Sequence, residues 1–426
     1  MSTAYQVCDA KDSHQLAEFL AKEGQLLLPM LDLVERTEAA VDEVIDVAGR
    51  AALEAILLMS AQEVAGPKHP GKPGGAVRWH GRQPGVVALS DRKVRVEKPR
   101  LRSKGAGGME VEVPAYAAMR ADGRLGRRIL EILMRGVSTR AYREVLPEMA
   151  ETVGVSKSEV SREFIDASEA ALKALVERRF DDVEVLIIYL DGVVFGGHHV
   201  LSAIGVDVEG YKHVLGVVEG ASENAAAATR LLEDLVARGV KPGRRRLFVI
   251  DGSKALRAGI DAVYGAENPV QRCRKHKIAN VTEQVPKHLR DQVKAAMRAA
   301  YRLEPKEGMA RLRQQAAWLE TEHPTATASL REGLEETFTV NALGLPADLR
   351  RCLATTNIIE SPQSGVRQRT RRVTRWRNGA MALRWAATAL VETEKNFHRI
   401  MGYKHLWILK SYLDGAEGVA LKRKVG

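Results

Sequence analysis

Two stretches of this chain are apolar at almost every position, and each ends in Asp-Gly: Val183 to Leu190 leads into Asp191-Gly192, and Arg246 to Ile250 leads into Asp251-Gly252. A short apolar run without alternation is what a strand needs when both of its faces are covered, so these segments belong inside a sheet. Both carboxylates then sit at carboxyl ends of strands, the edge at which α/β sheets bind ligands. Turn chemistry accounts for one Asp-Gly after a strand. Two matched copies point further, because neighbouring strands would bring two like charges together, an arrangement that favours a cation between them. Mg²⁺ is the natural occupant, since it takes carboxylate oxygens and shares its shell with phosphate.

The surrounding pattern extends this α/β reading. His199 to Val206 and Tyr211 to Val218 flank the turn Asp207-Val208-Glu209-Gly210 as a hairpin would. Helices follow over Glu223 to Arg238 and Lys254 to Tyr264, on either side of the second apolar run, then a short strand at Pro269 to Arg272 and a basic helix from about Lys275. From Pro286 to Ala347 the pattern is almost wholly helical, as though inserted into the α/β unit, and a long amphipathic helix spans Ala380 to Ile400.

Upstream the rhythm differs. Leu16 to Val64 is helical in pattern, with Val41, Val44, Ile45, Ala48, Ala51 and Ala52 on one face, a candidate oligomerisation surface. The Pro- and Gly-rich stretch from Gly66 to Gly75 is a linker or loop, and short alternating segments with interspersed Arg and Lys fill Val77 to Val113. Thr139 to Val153 and Lys157 to Leu172 read as two helices around Gly154-Val155, with Ser156 and Glu159 as a capping box. That layout fits a helix-turn-helix, in which Lys157 and Arg162 face DNA, and equally an ordinary helical hairpin. The resulting organisation is a helical region at 1–66, a basic β-rich segment at 67–115, a helical, helix-turn-helix-like region at 116–180, an α/β core in two parts at 181–282 and 351–402, a helical stretch at 283–350 between them, and a tail at 403–426.

Sixty-five Lys and Arg against 54 Asp and Glu give a formal net charge of +11, which points to a polyanionic partner such as nucleic acid. Cys8, Cys273 and Cys352 lie far apart with no CxxC pair, so a disulfide framework and a four-ligand zinc site are not expected. No apolar run reaches the roughly 20 residues of a membrane helix, and the first residues do not pattern as a signal sequence. We therefore expect a protein of a reducing cytoplasm, with no membrane partner.

Glu360 follows Thr355-Thr356-Asn357-Ile358-Ile359, at the mouth of a helix. Two starts are open: Asn357 as N-cap with Glu360 in a capping box, or Ser361 as cap with Pro362 opening the helix. Beyond it come Arg367, Arg369, Arg371, Arg372, Arg375 and Arg377, with Trp376 among them, a composition suited to phosphate contacts and to stacking on a base. A solvated basic face is the plainer account, and it explains Arg367 least well, since two helical turns return it to the face of Glu360.

In combination, the segments Tyr-Leu-Asp-Gly at 189–192, Val-Ile-Asp-Gly at 249–252, Gln271 to Lys277 and Thr355 to Ser361 resemble the Mutator-type transposases of bacterial insertion sequences. The resemblance covers about Val183 to Ile400 well. It implies a ribonuclease H-like core interrupted by a helical insertion, with Asp191, Asp251 and Glu360 as catalytic metal ligands for two Mg²⁺ or Mn²⁺ ions. It also implies metal-dependent cleavage and strand transfer on double-stranded DNA, at terminal inverted repeats and at a target, by a homodimer or larger assembly. Arg272, Lys275, His276 and Lys277 form a basic helix start beside that site and are candidate DNA contacts, and the resemblance implies a bacterial protein associated with the nucleoid when bound to DNA. A C-x-x-H pair, Cys273 and His276, offers only two of the four ligands that structural zinc takes. A ribonuclease H-like repair nuclease would share the carboxylates, and a non-catalytic helix-turn-helix regulator would share the charge. A haloacid-dehalogenase-type phosphatase is disfavoured, because Gly192 and Val193 follow Asp191 where that chemistry wants a second Asp two residues on.

Overall fold

The computed structural model describes residues 49–69, 75–88, 93–105, 108–121, 124–135, 152–153, 157–195, 197–221, 224–371 and 373–415. The chain divides into two compact units, residues 1–129 with 139–164, and residues 130–138 with 165–426. It is a mixed α/β protein, and among the described residues no helix is long and apolar enough to cross a membrane.

The first unit is organised around an antiparallel sheet. Strands β1 (Val77–Ala88) and β2 (Lys93–Ser103) pair along their length, and β3 (Glu110–Val111) and β4 (Thr152–Val153) each pair with β2. The strands are longer than the short segments expected, and β2 alternates as a one-sided strand should: Val94, Val96 and Leu101 are buried while Arg95 and Glu97 are exposed. The helix over residues 49–65 buries Leu57, Ala61 and Ala65, spaced by four, against this sheet, while Ala51 and Ala52, on the face read as a candidate oligomerisation surface, are exposed. The rest of the expected N-terminal helical region lies outside the described residues. So do residues 139–151 and 154–156 of the helix-turn-helix candidate. At its described end, Thr152–Val153 is a strand rather than helix, while the second helix runs Lys157–Val176 and carries Arg162 exposed.

The second unit holds a five-stranded sheet made of β5 (Val185–Phe195), β6 (His198–Asp207), β7 (Lys212–Glu219), β8 (Leu247–Ile250) and β9 (Val270–Arg272), in the order β7-β6-β5-β8-β9. The β5–β6 and β6–β7 pairs are antiparallel; β5–β8 and β8–β9 are parallel. Both faces are covered, which is why the β5 and β8 sequences lack alternation. Ile188, Leu190, Phe248 and Ile250 pack with the helices Ala225–Ala237 and Lys254–Tyr264, while Ile187, Tyr189, Leu247 and Val249 pack with Leu349, Leu353, Ile359 and Leu409 on the other face.

Between β9 and the later part of that second face lie the helices Arg274–Glu283, Lys287–Ala300, Pro305–Leu319 and Pro324–Arg331, closed by short turns to Leu353. They bury a core of their own, including Val293, Met297, Leu312, Leu330 and Phe338. The chain then enters the helices Asn357–Thr370 and Gly379–Glu394. The second ends sooner than expected, because Ile400 N–H is drawn onto Gly210 C=O at the β6–β7 turn, 3.0 Å away.

Candidate active site

Asp191 is not at the end of its strand. β5 continues to Phe195, pairing with β6 throughout, whereas its pairing with β8 stops at Leu190 opposite Ile250. Asp191 is therefore the first residue past that seam, and Asp251 follows immediately on the neighbouring strand. Period-two alternation carries Asp191 to the face of Tyr189, which is the face on which Ile359 and the Asn357–Thr370 helix pack.

That helix settles where Glu360 stands. It begins at Asn357 with Thr356 as N-cap, so neither Asn357 nor Ser361 is the cap and Glu360 lies in the first turn. Pro362 falls inside the helix and is buried, and Gly365 allows close approach to the Gly379–Glu394 helix, since a Cβ there would sit 3.2 Å from Thr393 Oγ1. Three residues after Glu360, buried Gln363 donates to Ser202 Oγ at 3.3 Å, and Ser202 Oγ donates to the Asp191 carbonyl at 3.2 Å. The glutamate's helix is thus tied to the aspartate's strand through one serine.

Asp191 is 7% exposed, and the one donor to its carboxylate among the described residues is Gly192 N–H, at 2.9 Å. Burial, and then the negative charges of Asp251 and Glu360, push its pKa up to about 7, against the opposing pull of His276 and the Gly192 bond. Asp251 Oδ1 accepts from Ser253 N–H at 2.9 Å. Glu360 accepts from Thr356 Oγ1 at 2.7 Å and from Lys275 Nζ. Burial pushes the Glu360 carboxyl up, but the bonds from Lys275 and Thr356 outweigh it and hold the pKa below the ordinary value. Asp251 and Glu360 are thus both within electrostatic reach of Asp191, and a buried carboxylate with so few donors is the kind of oxygen ligand that a hard cation takes.

The basic stretch after β9 splits in two. Cys273 caps the Arg274–Glu283 helix and donates its N–H to Ile250 C=O at 2.8 Å, which fixes the first turn beside Asp251. From that turn Lys275 reaches Glu360, and His276 Nε2 lies 3.8 Å from Glu360 Oε1. Interaction with Cys273, opposed by burial and helped by Asp191 and Glu360, raises the His276 pKa to about 9, so the ring is a cation at neutral pH. Cys273, His276 and Glu360 have donor atoms within 4.8 Å of one another, yet Cys273 Sγ is fully buried and already accepts from Thr356 N–H and Oγ–H.

Arg272 and Lys277, read as DNA contacts, are turned inward. Arg272 bonds Glu336 at 2.5 Å and Gly252 C=O at 2.9 Å, and Lys277 Nζ donates to the carbonyls of Ser329 and Glu332. Both side chains hold the helical stretch against the sheet rather than face solvent.

Of the arginine run, Arg367, Arg371, Arg375 and Arg377 are exposed and make no ion pair among the described residues, while Arg369 is half-buried and Arg372 lies outside them. Residues 373–378 are not helical. Trp376 packs its ring 5.6 Å from Phe195 and 6.4 Å from Trp385, so its stacking partners are within the protein.

Residues 23–400 match the family model described as Transposase, Mutator family. This chain belongs to the Mutator family of transposases. Membership implies DNA transposition as the activity and DNA as the substrate. Among similar curated proteins, the transposase for insertion sequence element IS406 of Burkholderia multivorans is 28% identical over 326 residues, 74% of this chain and 81% of that protein. The transposase for insertion sequence element ISRM5 of Rhizobium meliloti is 29% identical over 307 residues, 69% of this chain and 74% of that protein. A probable insertion-sequence transposase of Corynebacterium diphtheriae is 29% identical over 254 residues, 56% of this chain and 72% of that protein.

Thr356, Ser202 and Gln363 were not singled out by sequence reasoning. A hydroxyl four residues before a first-turn glutamate was a legible signal for Thr356; nothing local marks Ser202, whose role depends on which strand pairs with β5.

Proposed function

We propose that Asp191, Asp251 and Glu360 form the catalytic site of a DDE transposase with a ribonuclease H-like core, and that the helices over 274–353 are the insertion dividing it. The order β7-β6-β5-β8-β9 supports the core. What supports the site is that Asp191 and Asp251 stand just past the β5–β8 seam and Glu360 in the first turn of a helix tied to β5, near enough that both negative charges act on buried Asp191.

Those three side chains would hold one or two Mg²⁺ or Mn²⁺ ions, which supply positive charge at a phosphodiester and lower the proton affinity of an attacking oxygen. Lys275 and His276 place positive charge beside Glu360, where it offsets charge developing on the phosphate. Thr356 orients the Glu360 carboxylate, the Gln363–Ser202 link ties the glutamate's helix to the Asp191 main chain, and exposed Arg367, Arg371, Arg375 and Arg377 bind the DNA backbone through its phosphates. In the first reaction a water oxygen bonds to phosphorus and gives up a proton, the bond from phosphorus to the 3′ oxygen breaks, and that oxygen takes up a proton to become a 3′ hydroxyl, leaving a 5′ phosphate. In the second the 3′ hydroxyl oxygen bonds to a target phosphorus, releasing another 3′ hydroxyl. Recognition of terminal inverted repeats, and assembly as a dimer or larger complex so that two ends meet, complete this reading.

The test uses purified protein, a duplex ending in the element's repeat, and Mg²⁺ or Mn²⁺. Asp191→Asn, Asp251→Asn and Glu360→Gln should each abolish nicking and strand transfer while retaining DNA binding. Cleavage by any folded variant would remove that residue from the site.

A further inference from the structure

Beside the candidate site, and outside every contact assigned above except that of Lys275, lies a groove of about 940 Å³. One wall is the Lys287–Ala300 helix and the turn after it, which present Lys294, Arg298 and Arg302; the other is the Ala347–Leu353 helix, which presents Arg350 and Arg351. Arg274 and Lys275 line it from the helix between them, and Thr355 and Asn357 lead from it to Glu360.

The charge here is one-sided. No Asp or Glu lines the groove, and Lys294, Arg298, Arg302 and Arg350 form no ion pair among the described residues. An ordinary solvated face mixes both signs, as the Pro305–Leu319 helix does with Lys306, Glu307, Arg311 and Arg313. Lys294 and Arg298 stand four residues apart on one face of that helix, with about 6 Å of rise between them, and Arg302 follows in the turn beyond its end. Like charges at that spacing repel one another unless something anionic lies along them. A ladder of cations, facing two more across an open groove, matches a ligand that is itself a repeating anion.

We propose that this groove binds the sugar-phosphate backbone of duplex DNA and leads it to the carboxylates. The assignment rests on the catalytic reading above for where the DNA goes, but the binding itself does not require catalysis.

Full-length protein is titrated into a labelled duplex of about 25 base pairs without divalent metal, between about 50 and 200 mM salt. The Lys294→Ala/Arg298→Ala/Arg302→Ala variant should bind more weakly and flatten the plot of log affinity against log salt by about 2 to 3, since each phosphate contact contributes about 0.9. Lys306→Ala/Arg311→Ala, on exposed residues away from the groove, should leave the slope unchanged. A folded triple variant with wild-type affinity and slope overturns the proposal. Should that variant not fold, wild-type protein is photocrosslinked to duplex carrying a reactive group on backbone phosphates. Crosslinks in the peptide containing residues 294–302 support the groove, and crosslinks confined to other peptides overturn it. A wild type that binds through the groove yet never cleaves with Mg²⁺ or Mn²⁺ would sink the catalytic reading and leave this one standing.

Discussion

Thr356 holds Glu360 at both ends: its carbonyl accepts the Glu360 N–H at 2.9 Å, and its hydroxyl donates to Glu360 Oε1 at 2.7 Å. A carboxylate on a first helical turn would otherwise sample several rotamers. Partners that orient a metal ligand are typically worth about 10- to 100-fold in activity or metal affinity. Thr356→Ala should therefore lower the cleavage rate by about that factor with binding of DNA unchanged, and Thr356→Ser should restore most of it. A variant that melts early and is equally impaired as Ser would point to packing instead.

Asp191 makes the metal-free protein sensitive to pH. Its pKa rises to about 7 on folding, from burial first and then the charges of Asp251 and Glu360, so the folded chain keeps a proton that the unfolded chain has released. Stability from this group is thus present in acid and lost as pH rises to about 7, each tenfold difference in proton affinity between folded and unfolded chain being worth about 1.4 kcal/mol. In denaturant titrations without divalent metal, Asp191→Asn should be more stable than wild type at pH 8, by about 2–4 kcal/mol, with the gap shrinking toward pH 5. Added Mg²⁺ should narrow the gap at pH 8 by stabilising the wild type alone.

Ser202 and Gln363 should behave as one unit. Ser202→Ala leaves the buried Gln363 amide without an acceptor there, which costs about 1–3 kcal/mol. In a double-mutant cycle with Gln363→Leu, the pair should cost less than the sum of the singles, with a coupling of about 0.5–3 kcal/mol. Simple additivity would show that the link contributes nothing.

Gly333 is held at φ +57°, and a Cβ there would lie 2.3 Å from the Arg272 guanidinium. Gly333→Ala combines a left-handed backbone with displacement of Arg272 from Glu336, for a loss of about 2–4 kcal/mol in equilibrium unfolding. Unchanged stability would mean that Arg272 relocates freely.

Much of the second unit was legible because its signals are local. Apolar runs mark β5 and β8, and the turn at Gly210 marks the β6–β7 hairpin. What was not legible depends on partners far along the chain. Gly192 after Asp191 reads as a turn, yet pairing with β6 carries β5 on to Phe195. Arg272 and Lys277 read as surface because they are charged; only the helical stretch folded over them supplies Glu336 and the carbonyls that make burial tolerable. Trp376 offers an aromatic face to any base until Phe195 and Trp385 take it up. Thr152–Val153 fits a helical pattern and is claimed instead by the open edge of β2.

The long helical stretch between β9 and the glutamate's helix also has a temporal meaning. A ribosome making this chain releases both aspartates well before it reaches Glu360, so on the catalytic reading proposed above the emerging polypeptide would carry two of the three carboxylates for as long as that stretch takes to translate. A product that stops anywhere within it keeps the central strands and none of the third carboxylate. On that reading such truncated products would be unable to cleave DNA.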